Sequence, residues 1–359
     1  MSHPSRRRPL ALALLAALIA PSAARAADAP GTHDAATVNR MLGRGINFGN
    51  GLDAPSEGEW GFSLKAEYFP AIAKAGFNSV RIPVRWAPHA GPEPEFKIDP
   101  AYMDRVEWAV TRALDQGLAV VLNIHHDEAA TNEPAKYIPR AATFWRQIAT
   151  RFKDRDERLV FELLNEPNGA MTDTRWQASF PTLLAAIRES NPKRVVMLGP
   201  GHWNSIDALA NFDPPADDPN LIVTFHYYNP FQFTHQDADW VPEAKAWHGQ
   251  TWTGTPEQVA ALRKDLDKAA AWCKDHHRPL FLGEFGAYSK ADMPSRQTWT
   301  AAVAREAEAR GISWCYWEFG SGFGAYDPAT DEWRRPLLDA LIPPKAAADS
   351  PRKSDLDPR

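Results

Sequence analysis

Eight short apolar runs, separated by longer amphipathic stretches, constrain the fold of this chain more than any other feature of its sequence. Nearly every residue in a run is apolar, and Val, Ile and Leu predominate, as in parallel strands that are covered on both faces. Eight alternations of strand and helix predict an α/β fold, a (β/α)8 TIM barrel in a single domain. The predicted strands are Arg44–Phe48, Ser79–Val84, Ala119–Ile124, Leu159–Leu164, Arg194–Leu198, Leu221–Phe225, Leu280–Gly283 and Ile312–Trp317.

Helix start and stop signals support this order of elements. Asp99-Pro100 and Thr255-Pro256 each place an N-cap residue before a proline at the first helical position. Gly76, Gly117 and Gly311 stand where the intervening helices are expected to end. The barrel is therefore expected to occupy residues 27–342, and the Pro-, Ala- and Lys-containing residues 343–359 are expected to form a disordered tail.

Residues 1–26 have the pattern of a signal peptide. A basic segment at Arg6–Arg8 precedes an apolar segment at Leu10–Ala20, and Ala24–Ala26 supplies small residues for cleavage. The apolar segment is too short for a transmembrane anchor. The sequence thus predicts a secreted or periplasmic protein, with general and twin-arginine export both left open.

Charge and cysteine content narrow the range of partners. The formal net charge of −5 becomes −9 without the four arginines of the predicted signal peptide. That charge argues against a nucleic acid or an anionic membrane as partner, and we expect a monomer with no membrane insertion. Cys273 and Cys315 are too few for a disulfide scaffold, and we favour two buried thiols, with their pairing left open.

Two glutamates at predicted strand ends point to a site. Glu166 follows the run that ends at Leu164, and Glu284 follows the run that ends at Gly283. A carboxylate at the end of a buried strand is costly unless it is paired or used. Paired carboxylates of this kind are the chemical groups of glycoside hydrolysis.

Other polar and aromatic side chains occur at the same ends of the predicted strands. The carboxyl ends of parallel barrel strands form one face, on which barrel enzymes carry their active sites. A lone histidine or tryptophan at such a place is more often structural, so the joint placement carries the argument. The set comprises Arg81, His125, His126, Asn165, His226, Tyr228 and Trp317.

Four segments of the chain resemble the signature segments of glycoside hydrolase family 5 (cellulase family A). They are Ser79–Pro83, Leu164–Pro167, His226–Tyr228 and Gly283–Gly286, and the resemblance extends from about Gly43 to Asp327. That family consists of retaining (β/α)8-barrel enzymes of polysaccharide degradation, largely endo-β-1,4-glucanases and β-mannanases. The resemblance implies a secreted endo-β-glycosidase acting by double displacement, with no metal and no cofactor.

The resemblance also implies a role for each catalytic carboxylate. Glu166 would be the general acid/base and Glu284 the nucleophile. A retaining pair lies about 5–5.5 Å apart. Arg81 would hold Glu284 ionised, and the charge of Glu284 would in turn raise the pKa of Glu166. Glu162 shares the inward parity of Glu166, and we expect it to pair with Arg81.

The remaining members of the site would bind or orient. By resemblance Asn165 would contact the sugar 2-hydroxyl, and His226 and Tyr228 would orient the two carboxylates. His125 would bind the sugar in the cleaved subsite, and Trp317 would form its base.

A finer resemblance connects the chain to a bacterial subgroup of endoglucanases, some of which also cleave mannan. It rests on Gly45–Asn50, Glu57–Gly61, Phe233–His235 and Ala238–Trp240. Asp53 stands where the subgroup more often has Glu, and its sugar contact stays open. The residues that would line the glycone-side subsites are Asn50, His126, His235 and Trp240.

Several alternatives remain at this point. His125-His126-Asp127 also suggests a metal-dependent barrel hydrolase, and a non-catalytic glycan-binding barrel is a second rival. Within the glycosidase interpretation, the partner would be a β-glucan or β-mannan polysaccharide or oligosaccharide. Cellulose-type or mixed-linkage β-1,4-glucan is the first expectation and mannan or glucomannan the alternative. Endo and exo action are not separated by the sequence.

Overall fold

A computed structural model describes Met1 and residues 33–344. The predicted signal peptide at residues 1–26 lies outside the described residues. Of the predicted tail, only Pro343 and Pro344 are described. The described residues thus include nearly the whole of the predicted barrel.

The described residues form a closed parallel barrel of eight strands in sequence order, which confirms the predicted fold. Arg194, predicted to start the fifth strand, lies before the hydrogen-bonded ladder. Its guanidinium instead donates to the main-chain carbonyls of Phe152 and Leu159. The strands are β1 (Arg44–Asn47), β2 (Ser79–Ile82), β3 (Ala119–Asn123), β4 (Leu159–Glu162), β5 (Val196–Leu198), β6 (Leu221–His226), β7 (Leu280–Glu284) and β8 (Ser313–Tyr316).

Helices cover the outside of the barrel, and the predicted caps are present. Asp99 accepts a hydrogen bond from the Ala101 amide, and Thr255 forms a capping box with Gln258. Across the described residues the α-helices are α1 (Ala35–Leu42), α2 (Tyr68–Ala75), α3 (Pro100–Asp115), α4 (Glu128–Asn132), α5 (Pro134–Arg151), α6 (Asp173–Arg188), α7 (Gly201–Asn204), α8 (Phe231–Thr234), α9 (Pro256–His276), α10 (Met293–Ala309) and α11 (Arg335–Leu341).

Smaller elements lie in the connections that follow β6 and β8. A two-stranded antiparallel ribbon of β9 (Tyr326–Asp327) and β10 (Glu332–Trp333) follows β8. The long connection after β6 contains a 3₁₀ turn at Ala244–Trp247. Trp252 of this connection is buried, whereas Trp240 is 57% exposed, so the connection both packs on the barrel and projects from it.

The core has two parts. Val, Ile, Phe and Met side chains from strands β3 to β7 fill the barrel interior, and Val38 and Leu42 of α1 join this cluster. A larger apolar layer lies between the strands and the outer helices. Both cysteines are unpaired, as favoured from the sequence, although only Cys315 is fully buried. Within the described residues, none of the helices has the length and apolar character needed to cross a membrane.

Candidate active site

Arg81 is the centre of a buried polar network at the carboxyl ends of the strands. It lies on β2, is fully buried, and forms a two-point ion pair with Glu162 of β4 at 2.6 and 2.9 Å. Its guanidinium also donates to Glu284 and to the amide oxygen of Asn165, both at 2.7 Å. The predicted pairing of Glu162 with Arg81 is confirmed. A buried charge is stable only when it is paired and hydrogen-bonded. The partners of Arg81 connect β2 to β4 and β7.

Asn47 completes this network. Arg81 donates to the amide oxygen of Asn47 at 2.9 Å, and the Asn47 amide nitrogen donates to the main-chain oxygen of Gly283 at 3.0 Å. Asn47 thereby connects Arg81 to the residue that precedes Glu284. We did not predict this role from the sequence, although the position of Asn47 at the end of β1 is the signal that could have shown it.

Glu284 is held from three sides. One carboxylate oxygen accepts from Arg81 at 2.7 Å, and the other accepts from the Tyr228 hydroxyl at 2.9 Å. His226 Nδ1 lies 3.6 Å from the second oxygen. Glu284 is thus surrounded by donors, and donors stabilise a carboxylate in its ionised form.

Glu166 has fewer partners. His226 Nδ1 lies 2.7 Å from one of its carboxylate oxygens, and its side chain is 25% exposed to the cleft. Its backbone has a left-handed φ of 48°, and the Asn168 side chain donates to its main-chain oxygen. Such a conformation is costly for a residue other than glycine and is typical of functional sites.

The two glutamates face each other across His226. One carboxylate oxygen of each, together with a ring nitrogen of His226, lies within 4.8 Å of the others. Oxygens this close are compatible with the separation of about 5–5.5 Å between the carboxyl groups of retaining glycosidases, whereas inverting ones place them roughly 6.5–9.5 Å apart.

Burial raises the pKa of both carboxyl groups. The pKa of Glu166 is raised to about 7 mainly by burial, with a smaller contribution from the charge of Glu162. The sequence argument had assigned this rise to Glu284, which is not the main cause. Burial also raises the pKa of Glu284, against the opposing effects of His226, Arg81 and Tyr228. The expected effect of Arg81 is present, but burial outweighs it.

These residues lie at the bottom of a cleft of about 680 Å³. Ten of the thirteen predicted site residues line it, whereas Arg81 and His226 lie buried beneath it. His125 stacks parallel to Trp317, with ring centroids 5.5 Å apart. The lining residues that were predicted are Asn50, His125, His126, Asn165, Glu166, Tyr228, His235, Trp240, Glu284 and Trp317.

Asp53 is the one predicted sugar-contact residue that lies wholly behind the lining. It is fully buried, and one oxygen accepts from the Asn50 amide at 3.0 Å. Burial raises its pKa to about 7. Glu318, immediately after Trp317, is a second fully buried carboxyl, with its pKa raised to about 8 by burial. The charge of Asp53 adds to the rise in the pKa of Glu318.

Several lining residues were not identified as site residues from the sequence. Trp60 is 39% exposed and packs edge-on against His126, and Tyr288 packs edge-on against Trp240. Trp60 was visible within the quoted Glu57–Gly61 segment. The additional lining residues are Trp60, Tyr288, Ser321, Gly322 and Phe323.

Gly286 and Gly49 are required where the chain approaches Trp317. A Cβ on Gly286 would lie 2.0 Å from the Trp317 main-chain oxygen. A Cβ on Gly49 would lie 2.7 Å from the indole ring of the same residue. Side chains at either position would therefore displace the aromatic base of the cleft.

Two groups of donor atoms among the described residues have spacing that could hold a metal ion. They are Asp53, His125 and His126, and the set Glu166, His226 and Glu284. The Asn123 amide nitrogen lies 3.1 Å from His125 Nδ1. Because an amide nitrogen only donates, Nδ1 is an acceptor and the remaining nitrogen, Nε2, carries the proton. The protonated nitrogen suits donation to a sugar hydroxyl rather than metal ligation.

A (β/α)8 barrel with paired carboxylates at its carboxyl end has the architecture of a glycoside hydrolase. The sequence profile of the cellulase family, glycosyl hydrolase family 5, matches residues 44–322. The chain belongs to this family. The predicted resemblance is thereby confirmed.

Similar proteins include bacterial endoglucanases. The chain is 37% identical over 323 residues to endoglucanase H of Acetivibrio thermocellus, covering 88% of this chain and 34% of that protein. It is 32% identical over 298 residues to cellulase/esterase CelE of the same organism, covering 77% of this chain and 35% of that protein. The chain thus spans about a third of the length of these two relatives.

A solved structure matches closely over nearly the whole barrel. Cel5A of Thermotoga maritima in complex with mannotriose has 46% identity and a TM-score of 0.85. The match covers 86% of this chain and 100% of that one. A structure of the same Thermotoga protein in complex with cellobiose matches equally well.

Proposed function

We propose that this chain is a retaining endo-β-1,4-glucanase that cleaves cellulose-type or mixed-linkage β-glucan by double displacement. The observation that carries the proposal is the approach of the Glu166 and Glu284 carboxylates within 4.8 Å around His226. That spacing fits a pair in which one carboxylate attacks the anomeric carbon, whereas inverting enzymes separate the two carboxyl groups further to admit a water.

The two carboxylates differ in what holds them. Arg81 and Tyr228 both donate to Glu284, so its ionised form is stabilised and it serves as the nucleophile. Glu166 is the more exposed of the two, and its pKa of about 7 keeps most of it protonated below neutral pH. It therefore protonates the glycosidic oxygen, and after glycosylation it activates the water that releases the sugar.

The surrounding residues position the sugar. Since the amide oxygen of Asn165 accepts from Arg81, its NH2 group is left to donate to the 2-hydroxyl. Trp317 and its stacked neighbour His125 form the base of the cleaved subsite. Asn50, His126, His235 and Trp240 line the glycone side. Asp53 acts indirectly by holding the Asn50 loop.

Trp203 provides a surface on the leaving-group side. It is 56% exposed, and its amide donates to the main-chain oxygen of Pro167, the residue after Glu166. It follows β5, which lies across the barrel from β1 and the Asn50 loop. An exposed indole at this position suits the apolar face of a sugar beyond the scissile bond and favours endo action on chains.

β-1,4-Mannan or glucomannan is a second candidate substrate for the same site. It is favoured by the structures of Thermotoga Cel5A in complex with mannotriose and with cellobiose. We propose glucan as the main substrate, and one panel of polysaccharides distinguishes the two candidate substrates.

The test is product analysis on carboxymethyl-cellulose, lichenan, glucomannan and mannan, with the anomeric form of the first product followed by NMR. The proposal expects β-anomers and chains of mixed length from the glucans. Release of α-anomers would contradict the retaining assignment, and activity confined to mannan would select the second candidate. Activity should persist after chelator treatment, whereas its loss would favour the metal-dependent rival.

We also propose that the protein is exported, on the signal-peptide pattern of residues 1–26. Expression of the full chain in a bacterium, followed by N-terminal sequencing of the extracellular and periplasmic fractions, tests this. A mature form beginning at Ala27 is expected, and an uncleaved cytoplasmic product would contradict the proposal.

A further inference from the structure

A strained segment lies beside the acid/base glutamate. His202, Trp203 and Asn204 have consecutive left-handed φ angles of 50°, 59° and 53°. Non-glycine residues rarely adopt this conformation, and three in succession persist only where the surroundings hold them. The segment sends Trp203 outward and Asn204 inward, where Asn204 is fully buried.

Asn204 contacts the histidine that holds Glu166. Its amide nitrogen lies 3.5 Å from His226 Nε2, at the long end of the hydrogen-bond range. Its amide oxygen faces Gly199 so closely that a Cβ added to Gly199 would lie 2.5 Å from this oxygen. The oxygen has no hydrogen-bond partner within residues 33–344. Since an amide NH2 group only donates, His226 Nε2 is an acceptor and the ring proton resides on Nδ1.

The environment of His226 supports this tautomer. Burial lowers the pKa of His226 to about 4, so the ring is neutral and carries one proton. A Cβ on Gly283 would lie 2.6 Å from the Thr224 hydroxyl and 3.0 Å from Nε2, and this hydroxyl has no hydrogen-bond partner among the described residues. The titratable or charged groups that face or influence the ring are Glu166 and Glu284 beside Nδ1, with Arg81, Glu162 and His125 further away.

The tautomer determines which oxygen of Glu166 carries its proton. With the proton on His226 Nδ1, the ring donates to Glu166 Oε1 at 2.7 Å in both charge states of the glutamate. The proton of Glu166 must then reside on Oε2. In the opposite tautomer, Nδ1 would accept, and the proton would be held on Oε1 against the histidine.

We propose that Asn204 is a positioning residue that fixes the tautomer of His226 and thereby places the acidic proton of Glu166 on Oε2. This rests on the proposed function, in which Glu166 is the acid. The Oε2 proton moves to the glycosidic oxygen as the bond from that oxygen to the anomeric carbon breaks. A carboxylate electron pair of Glu284 forms the new bond to that carbon.

The tautomer can be measured directly on the wild-type enzyme. Two-bond and three-bond ¹H–¹⁵N correlation spectra of ¹⁵N-histidine-labelled protein distinguish a protonated from an unprotonated ring nitrogen, and a His226→Gln sample assigns the signals. The proposal expects a protonated Nδ1 and an unprotonated Nε2. A protonated Nε2 overturns it, whether or not the chain is a glycosidase.

Kinetics of Asn204→Asp supply the second test. Aspartate keeps the size and tolerates the left-handed backbone, but it replaces the donor by an acceptor. We expect kcat/KM on cello-oligosaccharides to fall at least about tenfold, within the roughly 10²–10⁴-fold that general acid catalysis supplies. Hydrolysis of a dinitrophenyl cellobioside, whose leaving group needs no proton, should change less than about twofold by the same reasoning.

Asn39→Asp is the matched control, because Asn39 is a buried amide whose nitrogen donates to the main-chain oxygen of Leu280, away from the cleft. It should lower Tm without any dependence on the leaving group. Equal losses on both substrates in Asn204→Asp, or no loss on either, overturn the proposal. Glu166→Ala separates the two levels: if it also lacks leaving-group dependence, the assignment of Glu166 as the acid has failed instead.

Discussion

At the scale of single residues, the two glutamates share a buried site but have different partners. Glu284 accepts hydrogen bonds from Arg81 and Tyr228, whereas the Glu166 carboxyl group lies at hydrogen-bond distance from His226. Burial raises both pKa values, and donors oppose the rise mainly at Glu284. The donors around Glu284 favour its ionised form, and an ionised Glu284 beside a protonated Glu166 is the charge state that retaining hydrolysis requires.

This difference predicts a bell-shaped pH dependence of kcat/KM on soluble β-glucan. Activity should rise as Glu284 ionises, above its ordinary carboxyl range, and fall as Glu166 loses its proton near pH 7. A dinitrophenyl cellobioside serves as the control, since its leaving group needs no proton. The alkaline fall should be absent with that substrate, and an identical fall with both substrates would contradict the role of Glu166.

At the scale of elements, the loops after β1 and β8 meet behind the cleft. Asn50 donates to the Ser321 hydroxyl at 2.7 Å, and Asp53 and Glu318 lie buried at the bases of these two loops. Glu318 accepts from the Phe323 amide at 3.1 Å, while its second oxygen has no partner within residues 33–344. The loops that line the glycone side are thus supported by carboxyl groups that prefer to be protonated.

Glu318 should therefore make the stability of the fold depend on pH. Its folded-state pKa of about 8 lies above the ordinary value of 4.5, so its contribution is complete at low pH and is lost as pH rises from 4.5 to about 8. Glu318→Gln keeps the oxygen that accepts from Phe323 and cannot ionise. The fall in Tm between pH 5 and 8 should be smaller in this variant than in the wild type, and parallel curves would contradict the prediction.

The short segment after β5, in which His202, Trp203 and Asn204 have left-handed φ angles, gives a second prediction at this scale. Trp203→Ala removes an exposed indole beside Pro167 without opening a buried cavity. We expect KM for cellohexaose to rise severalfold and Tm to change little, because exposed substitutions usually alter stability by less than about 0.5 kcal/mol. Trp247→Ala is the comparison variant, because Trp247 lies on the 3₁₀ turn after β6 and packs edge-on against Phe231. Similar KM values for both variants would contradict a sugar surface at Trp203.

The elements and the central residues were largely predictable from the sequence. Apolar runs predicted the strands, and strand-end residues such as Arg81 and Glu284 were found because the carboxyl ends of parallel strands form one face. Trp203 and Tyr288 were missed because their exposure depends on loop conformation. The left-handed backbone at Asn204 has no glycine to signal it, and the burial of Asp53 depends on loops distant in sequence. Side-chain parity along the strands therefore predicted the central site residues, whereas the positions of the outer site residues depend on tertiary contacts.

At the scale of the whole molecule, the barrel provides a rigid frame for two carboxylates that are distant in sequence. Strands β4 and β7 bring Glu166 and Glu284 to one end, and Arg81 on β2 connects to both strands through Glu162 and Glu284. Membership of glycoside hydrolase family 5 and the similarity to Thermotoga Cel5A over 86% of the chain agree with this frame. We propose that this frame makes Glu284 the nucleophile and Glu166 the acid/base.

Trapping the covalent intermediate tests that claim most directly. A 2-deoxy-2-fluoro-cellobioside with a dinitrophenyl leaving group is a suitable reagent. Its good leaving group lets the glycosyl-enzyme form, and fluorine slows hydrolysis of this intermediate because it destabilises the oxocarbenium-like transition state. Peptide mass spectrometry should then place one disaccharide on Glu284, with no label in Glu284→Ala. A label on Glu166, or turnover of the inhibitor without any covalent label, would contradict the account.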